Sequence, residues 1–175
     1  MATMRGYGVS VELPTGWDGR ITRRPVDATS PVVRAFSDAS GRDMTESTHA
    51  VVHLANFPLP EARGDFGSGA VEVMGPTDVL AVLLEYHPDS AATALFATRG
   101  RPRTLDPGAF SPAGLQHALP GQGGAQWFFQ EAGRAWCLYV VLGSIGARST
   151  LVPAVEAVLA SVDIAPASQP AGWTP

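Results

Sequence analysis

Four histidines, a single cysteine, a glycine-adjacent serine and a short arginine-rich run hold the reactive potential of this 175-residue chain. The imidazoles of His49, His53, His87 and His117 invite a metal. His49 and His53 are four apart, which in a strand separates them by about 13 Å, too far to share one ion. No metal site and no cofactor are therefore expected. Nucleophilic catalysis needs a serine or cysteine held against a histidine and an orienting acid. Ser144, in Gly143-Ser144-Ile145-Gly146, departs from the Gly-x-Ser-x-Gly elbow because Gly143 adjoins the serine directly, and a tight strand-to-helix turn explains it more simply. Cys137 lies between Trp136 and Leu138 with no electropositive neighbour in sequence, so it reads as a buried, reduced, structural cysteine. Residues 143–150 could offer helix amides to a phosphate, with Arg148 and Ser149 beside them. They match neither glycine-rich phosphate pattern, and Ser149 or Thr150 as an ordinary helix cap is the plainer reading.

Arg99-Gly100-Arg101-Pro102, followed by Arg103, reproduces the arginine core of the AT-hook, which places guanidinium groups in a narrow minor groove. One copy without flanking lysines, in a chain of net charge -4, argues against nucleic acid and for an acidic protein surface. Asp65 to Gly69 reads as a structural turn around Phe66. Trp173 stands in a small, polar, Pro-rich tail, where it either folds back or anchors in a partner's groove. Arg99, Arg101, Arg103 and Trp173 are thus the candidate partner-binding residues. Reversing the charge of Arg101 together with Arg103, or truncating before Pro166, should weaken binding while the fold survives, since neither segment supplies the sheet.

The elements that must position these residues follow from periodicity. With 45% hydrophobic residues the chain can bury one good core, and its length suits one domain, assigned to residues 1–164 with a flexible tail over 165–175. All 12 basic residues are arginine, which fits a GC-rich coding background and carries no mechanistic weight. The first residues lack the apolar core of an export signal, and no run is long enough to span a membrane, so a cytoplasmic protein is expected. Val9, Val11 and Leu13 alternate with polar residues as a first strand, and residues 17–23 should return as its antiparallel partner. Residues 24–47 read as an irregular insert with a weak apolar cluster at Val32, Val33 and Phe36. His49 to Phe57 resumes strand character. Val79 to Tyr86 and Ala135 to Leu142 are apolar on both faces and should be central strands. Residues 127–130 should pair with residues 134–139 through a turn at Ala132 and Gly133. Leu151, Val155, Val158, Leu159 and Val162 make one helical stripe that should lie on the sheet. Between them, residues 88–124 form a long excursion anchored by Phe110 and Leu115.

The run from Gly8 to Trp17, read as strand, Pro-x-Gly-Trp turn and strand, resembles the start of PsbP-like domains. The aromatic hairpin followed by a helix over Val155 to Ser161 is similar to the way those domains close. The chain also resembles small actinobacterial proteins. The PsbP-like family includes the photosystem II PsbP subunit and the Ran guanine-nucleotide release factor. The resemblance implies an α+β fold with a largely antiparallel sheet between flanking helices, an α/β/α sandwich, and an accessory protein-binding role with mostly no catalysis. It covers the two ends of the chain, and no functional residue is carried over from it. A noncatalytic binding module is therefore the leading expectation. The alternatives are a small hydrolase with a site near Ser144 or in the loops around His87 and His117, and a DNA-associated protein acting through Arg99, Arg101 and Arg103.

Overall fold

The computed structural model describes residues 1–24 and 49–166. Two antiparallel sheets and one C-terminal helix make up an α+β fold. The small sheet joins β1 (Ala2–Gly6), β2 (Val9–Leu13) and β8 (Asp163–Ile164) in the order β1-β2-β8. The large sheet holds β3 (Asp18–Arg24), β4 (His49–Ala55), β5 (Val79–Tyr86), β6 (Gly123–Glu131) and β7 (Arg134–Leu142) in the order β3-β4-β5-β7-β6. The helix, α1, spans Arg148–Ala160.

The central strands lie where their two-sided apolar character puts them: β5 between β4 and β7, and β7 between β5 and β6. All nine residues of β7 are buried. Side chains alternate across a strand, so the large sheet has two apolar faces. One carries Val52, Leu54, Ala81, Leu83, Trp136, Leu138 and Phe129, and packs against the α1 stripe and against Val9, Val11 and Leu13 of the small sheet. The other carries Val51, Leu80, Val82, Leu84, Cys137 and Tyr139. Among the described residues this second face is covered by Phe57, Leu59, Ala70 and Val71 from connecting segments, and α1 is the only α-helix.

Three features depart from the expected pattern. β1 precedes the expected first strand; it is short and half polar, and only Met4 and Gly6 are shielded, so its alternation is faint. β3 does not pair with β2. Both edges of β2 are already taken by β1 and β8, and β3 pairs instead with β4, from Asp18 opposite Ala55 to Arg24 opposite His49. The small sheet then packs across β3 at two glycines: a β-carbon on Gly19 would sit 2.8 Å from the Met4 methyl, and one on Gly6 3.2 Å from Ile21. Finally, α1 begins at Arg148 behind Ala147, so Ser149 and Thr150 lie inside its first turn and do not cap it. The expected insert lies, apart from Arg24, outside the described residues.

The β6–β7 hairpin has the expected register, with Phe129 opposite Trp136 and Gln130 opposite Ala135. Its two-residue turn puts Ala132 at φ 55° and Gly133 at φ 73°, the left-handed pair that matches strand twist. Glycine holds that conformation without a β-carbon penalty, and alanine does not. Ala132→Gly should therefore raise stability by about 0.5–1 kcal/mol, read as a shifted urea midpoint at constant slope.

Candidate partner-binding loop

The arginine run is built into the fold on both sides of Arg101. Thr98 and Gly100 clamp β6: the Gln130 amide donates to the Thr98 carbonyl at 2.8 Å, and the Gly100 amide donates to the Gln130 carbonyl at 2.8 Å. The Gln130 side chain donates to the carbonyls of Ala91 and Phe96, fixing the preceding turns. The next guanidinium turns inward. Arg101 keeps only 8% of its side chain exposed and pairs through Nη1 with Glu131, whose other carboxylate oxygen accepts the Arg101 amide at 2.9 Å. Its Nε donates to the Leu159 carbonyl at 3.2 Å and its Nη2 donates to the Val162 carbonyl. One cation thus holds the carbonyls at and beyond the end of α1, where the helix dipole favours positive charge. Leu105 is buried, its amide donating to Glu156 at 2.7 Å, and Phe110 meets the Trp127 ring at 5.7 Å. Ser111 returns the chain to β6, exchanging two backbone hydrogen bonds with Gly124.

Of the three arginines, Arg99 and Arg103 are exposed and Arg101 is not available to a partner. The expectation that reversing Arg101 leaves the fold intact is therefore corrected: the segment supplies no strand of the large sheet, yet Arg101 ties that sheet to α1. Trp173 lies outside the described residues. Ala165, placed in the tail by sequence, is held by the fold: its amide donates to the Gly8 carbonyl at 2.8 Å, and its own carbonyl accepts from Arg134 at 3.2 Å.

A second internal arginine was missed. Arg134 is buried at the start of β7, donating to Glu85 at 2.7 and 2.8 Å and to the Tyr7 carbonyl at 3.0 Å, with its guanidinium over Trp136 at 4.7 Å. This clasp ties the large sheet to the β1–β2 turn, where Tyr7 and Gly8 are both left-handed at φ 51° and 75°. A β-carbon on Gly8 would lie 2.8 Å from Arg134 Nη1. The signal was in the sequence: one charged residue borders each apolar central run, Glu85 after Leu84 and Arg134 before Ala135. A buried charge and a largely shielded one at the same end of adjacent strands must pair.

The other chemical candidates are dispersed. Ser144 has no histidine hydrogen-bonded to it among the described residues. The amides of its turn are already engaged, Gly143 donating to Asp78, Ile145 to Gly121 and Ala147 to Ser144, which leaves little for a phosphate. His49 and His87 meet edge to face at 5.9 Å, a contact between neighbouring segments that linear spacing could not show. No group of three or more metal-ligating side chains occurs among the described residues.

Cys137 is fully buried, and burial pushes its thiol up to about 12. A protonated, covered sulfur is a poor nucleophile. Cys137→Ala should cost about 1 kcal/mol, and a thiol reagent should label the native protein only after unfolding.

His53 is 97% buried under the 57–69 segment, since its relative exposure is 3%. Its Nε2 lies 3.1 Å from the Gly64 carbonyl and so carries the proton, leaving Nδ1 without a partner. Burial first, and then the Arg63 charge, lower its pKa from 6.5 to about 4. The unfolded chain therefore takes up this proton before the native one does. The His53 contribution is fully present above pH 6.5 and is lost as pH falls to about 4, a loss of roughly 3 kcal/mol. In His53→Gln, which can still donate to Gly64, the stability lost across that window should shrink by that amount, measured by urea unfolding at several pH values.

No family model, curated protein or solved structure matches the chain. The class defined by its own geometry is an α+β protein with two antiparallel sheets and a C-terminal helix. No helix of the described residues is long and apolar enough to cross a membrane.

Proposed function

We propose that this chain is a noncatalytic accessory or assembly module of the cytoplasm that binds another protein, presenting Arg99 and Arg103 to an acidic surface. The observation that carries this reading is the division of labour in the arginine run. Arg101 is spent on the fold, and the spent residue fixes its exposed neighbours on a pinned segment, lowering the entropy cost of engaging them. Arginine is also enriched at protein interfaces. The antiparallel large sheet and the aromatic hairpin that leads into a sheet-packed helix support the PsbP-like reading, in which an α/β/α sandwich would add a helical layer on the second face, with Trp173 as a further anchor. The test is affinity capture from the native lysate with wild type and with Arg99→Glu/Arg103→Glu. The wild type should retain a protein that the double variant loses, while both melt alike. An identical captured set would contradict the reading. So would a measurable turnover abolished by Ser144→Ala or His117→Ala.

A further inference from the structure

The segment that carries Arg99 leaves a gap in the edge of the large sheet, and we propose that this gap receives an acidic extended peptide as an added strand. The proposal rests on the binding reading above and names its partner. β6 is an edge strand. Its even-numbered residues direct their N–H and C=O groups away from β7, as the bonds of Gly124 to Ser111 and of Gln130 to Thr98 and Gly100 demonstrate. Gln126 and Phe128 share that parity. Among the described residues nothing bonds their outward amides and carbonyls, so two donors and two acceptors stand in the ladder geometry an incoming strand requires.

The gap has defined limits. Gly124 to Gln130 is about 20 Å of strand, closed at both ends, which suits a peptide of about five residues. Between the ends the protein chain leaves the edge, running from Arg101 at the end of α1 to Phe110 on Trp127. Exposed edges are usually guarded by a charge, a proline or a bulge. The 126–128 stretch has none of these. It offers apolar surface on both faces instead: Phe128 against Phe96 at 5.6 Å, and Trp127 on the opposite side. A bound strand would lay alternate side chains on these rings. The charge of the occupant follows from the surrounding groups. At the Gln130 end of the gap Arg99 is exposed and bridges the strand edge, while the nearby Glu131 carboxylate is already paired with Arg101. An acidic residue of the occupant would meet Arg99 there.

The probe is fluorescein-labelled Glu-Val-Thr-Val-Glu with blocked ends, titrated by anisotropy and by amide NMR. It should bind saturably and shift the amides of Gln126 and Phe128, and its lysine counterpart should bind at least tenfold more weakly. Two N-methylated analogues each block one pairing register, and at least one should lose tenfold or more. Gln126→Pro should do the same; because that amide points outward, the substitution removes no bond to β7. Absence of saturable binding, undiminished affinity of both N-methylated analogues, or shifts confined elsewhere overturns the proposal. So does a concentration-dependent dimer abolished by Gln126→Pro, which would make a second copy the occupant. If Arg99→Glu weakens the probe while Gln126→Pro and N-methylation do not, the edge proposal falls and the arginine reading stands. If none of these changes matters, both fall.

Discussion

Arg134→Met should destabilise the protein by about 3–5 kcal/mol, the largest effect expected of any single substitution. The change strips Glu85 of a bidentate partner and leaves the Tyr7 and Ala165 carbonyls without their donor. Removing one member of a buried pair costs more than the pair is worth, because the survivor stays charged and desolvated. Arg134→Met combined with Glu85→Leu should therefore recover a substantial part of the loss, although the Ala50 amide, which donates to Glu85 at 2.9 Å, then loses its acceptor. Urea unfolding of the two single variants and the double completes the cycle. Additive losses would show that the two side chains do not act as a pair.

Arg101→Met should cost about 3 kcal/mol for a related reason, with a different local consequence. Four contacts converge on this side chain and its amide, from Glu131, Leu159 and Val162. Without them the end of α1 should fray, visible as faster amide hydrogen exchange after Val158. Arg101→Lys should recover little, since an ammonium group cannot reach a carboxylate and two carbonyls in the planar fork that a guanidinium provides. Arg103→Glu, on an exposed side chain, should stay within about 0.5 kcal/mol of wild type. An Arg101→Met variant as stable as wild type would remove the basis for separating the buried arginine from its exposed neighbours.

The contrast between these arginines marks what the sequence could convey. Periodicity identified the hairpin from Trp127 to Tyr139, the central place of β5 and β7, and the α1 stripe, because each buries a repeating apolar pattern. It missed β1, in which only Met4 and Gly6 are shielded. It misassigned the partner of β3, because strand pairing depends on which edges remain free after the small sheet closes through β8. The run 99–103 was visible as charge, but charge alone does not reveal direction. Arg101 faces inward because Glu131 and the carbonyls at the end of α1 lie beside it, groups 30 to 61 positions away in the chain. Trp173 lies outside the described residues, so its part in the site rests on its residue type.

The most direct test of the central claim, that Arg99 and Arg103 carry binding while Arg101 carries the fold, is a calorimetric titration of the captured partner. Wild type, Arg99→Glu/Arg103→Glu and Arg101→Met are compared below their melting temperatures, each with its melting curve. The double variant should bind at least about tenfold more weakly at an unchanged melting temperature, a difference of about 1.4 kcal/mol in binding free energy. Arg101→Met should show the lowered melting temperature. Equal affinity of wild type and the double variant would contradict the claim.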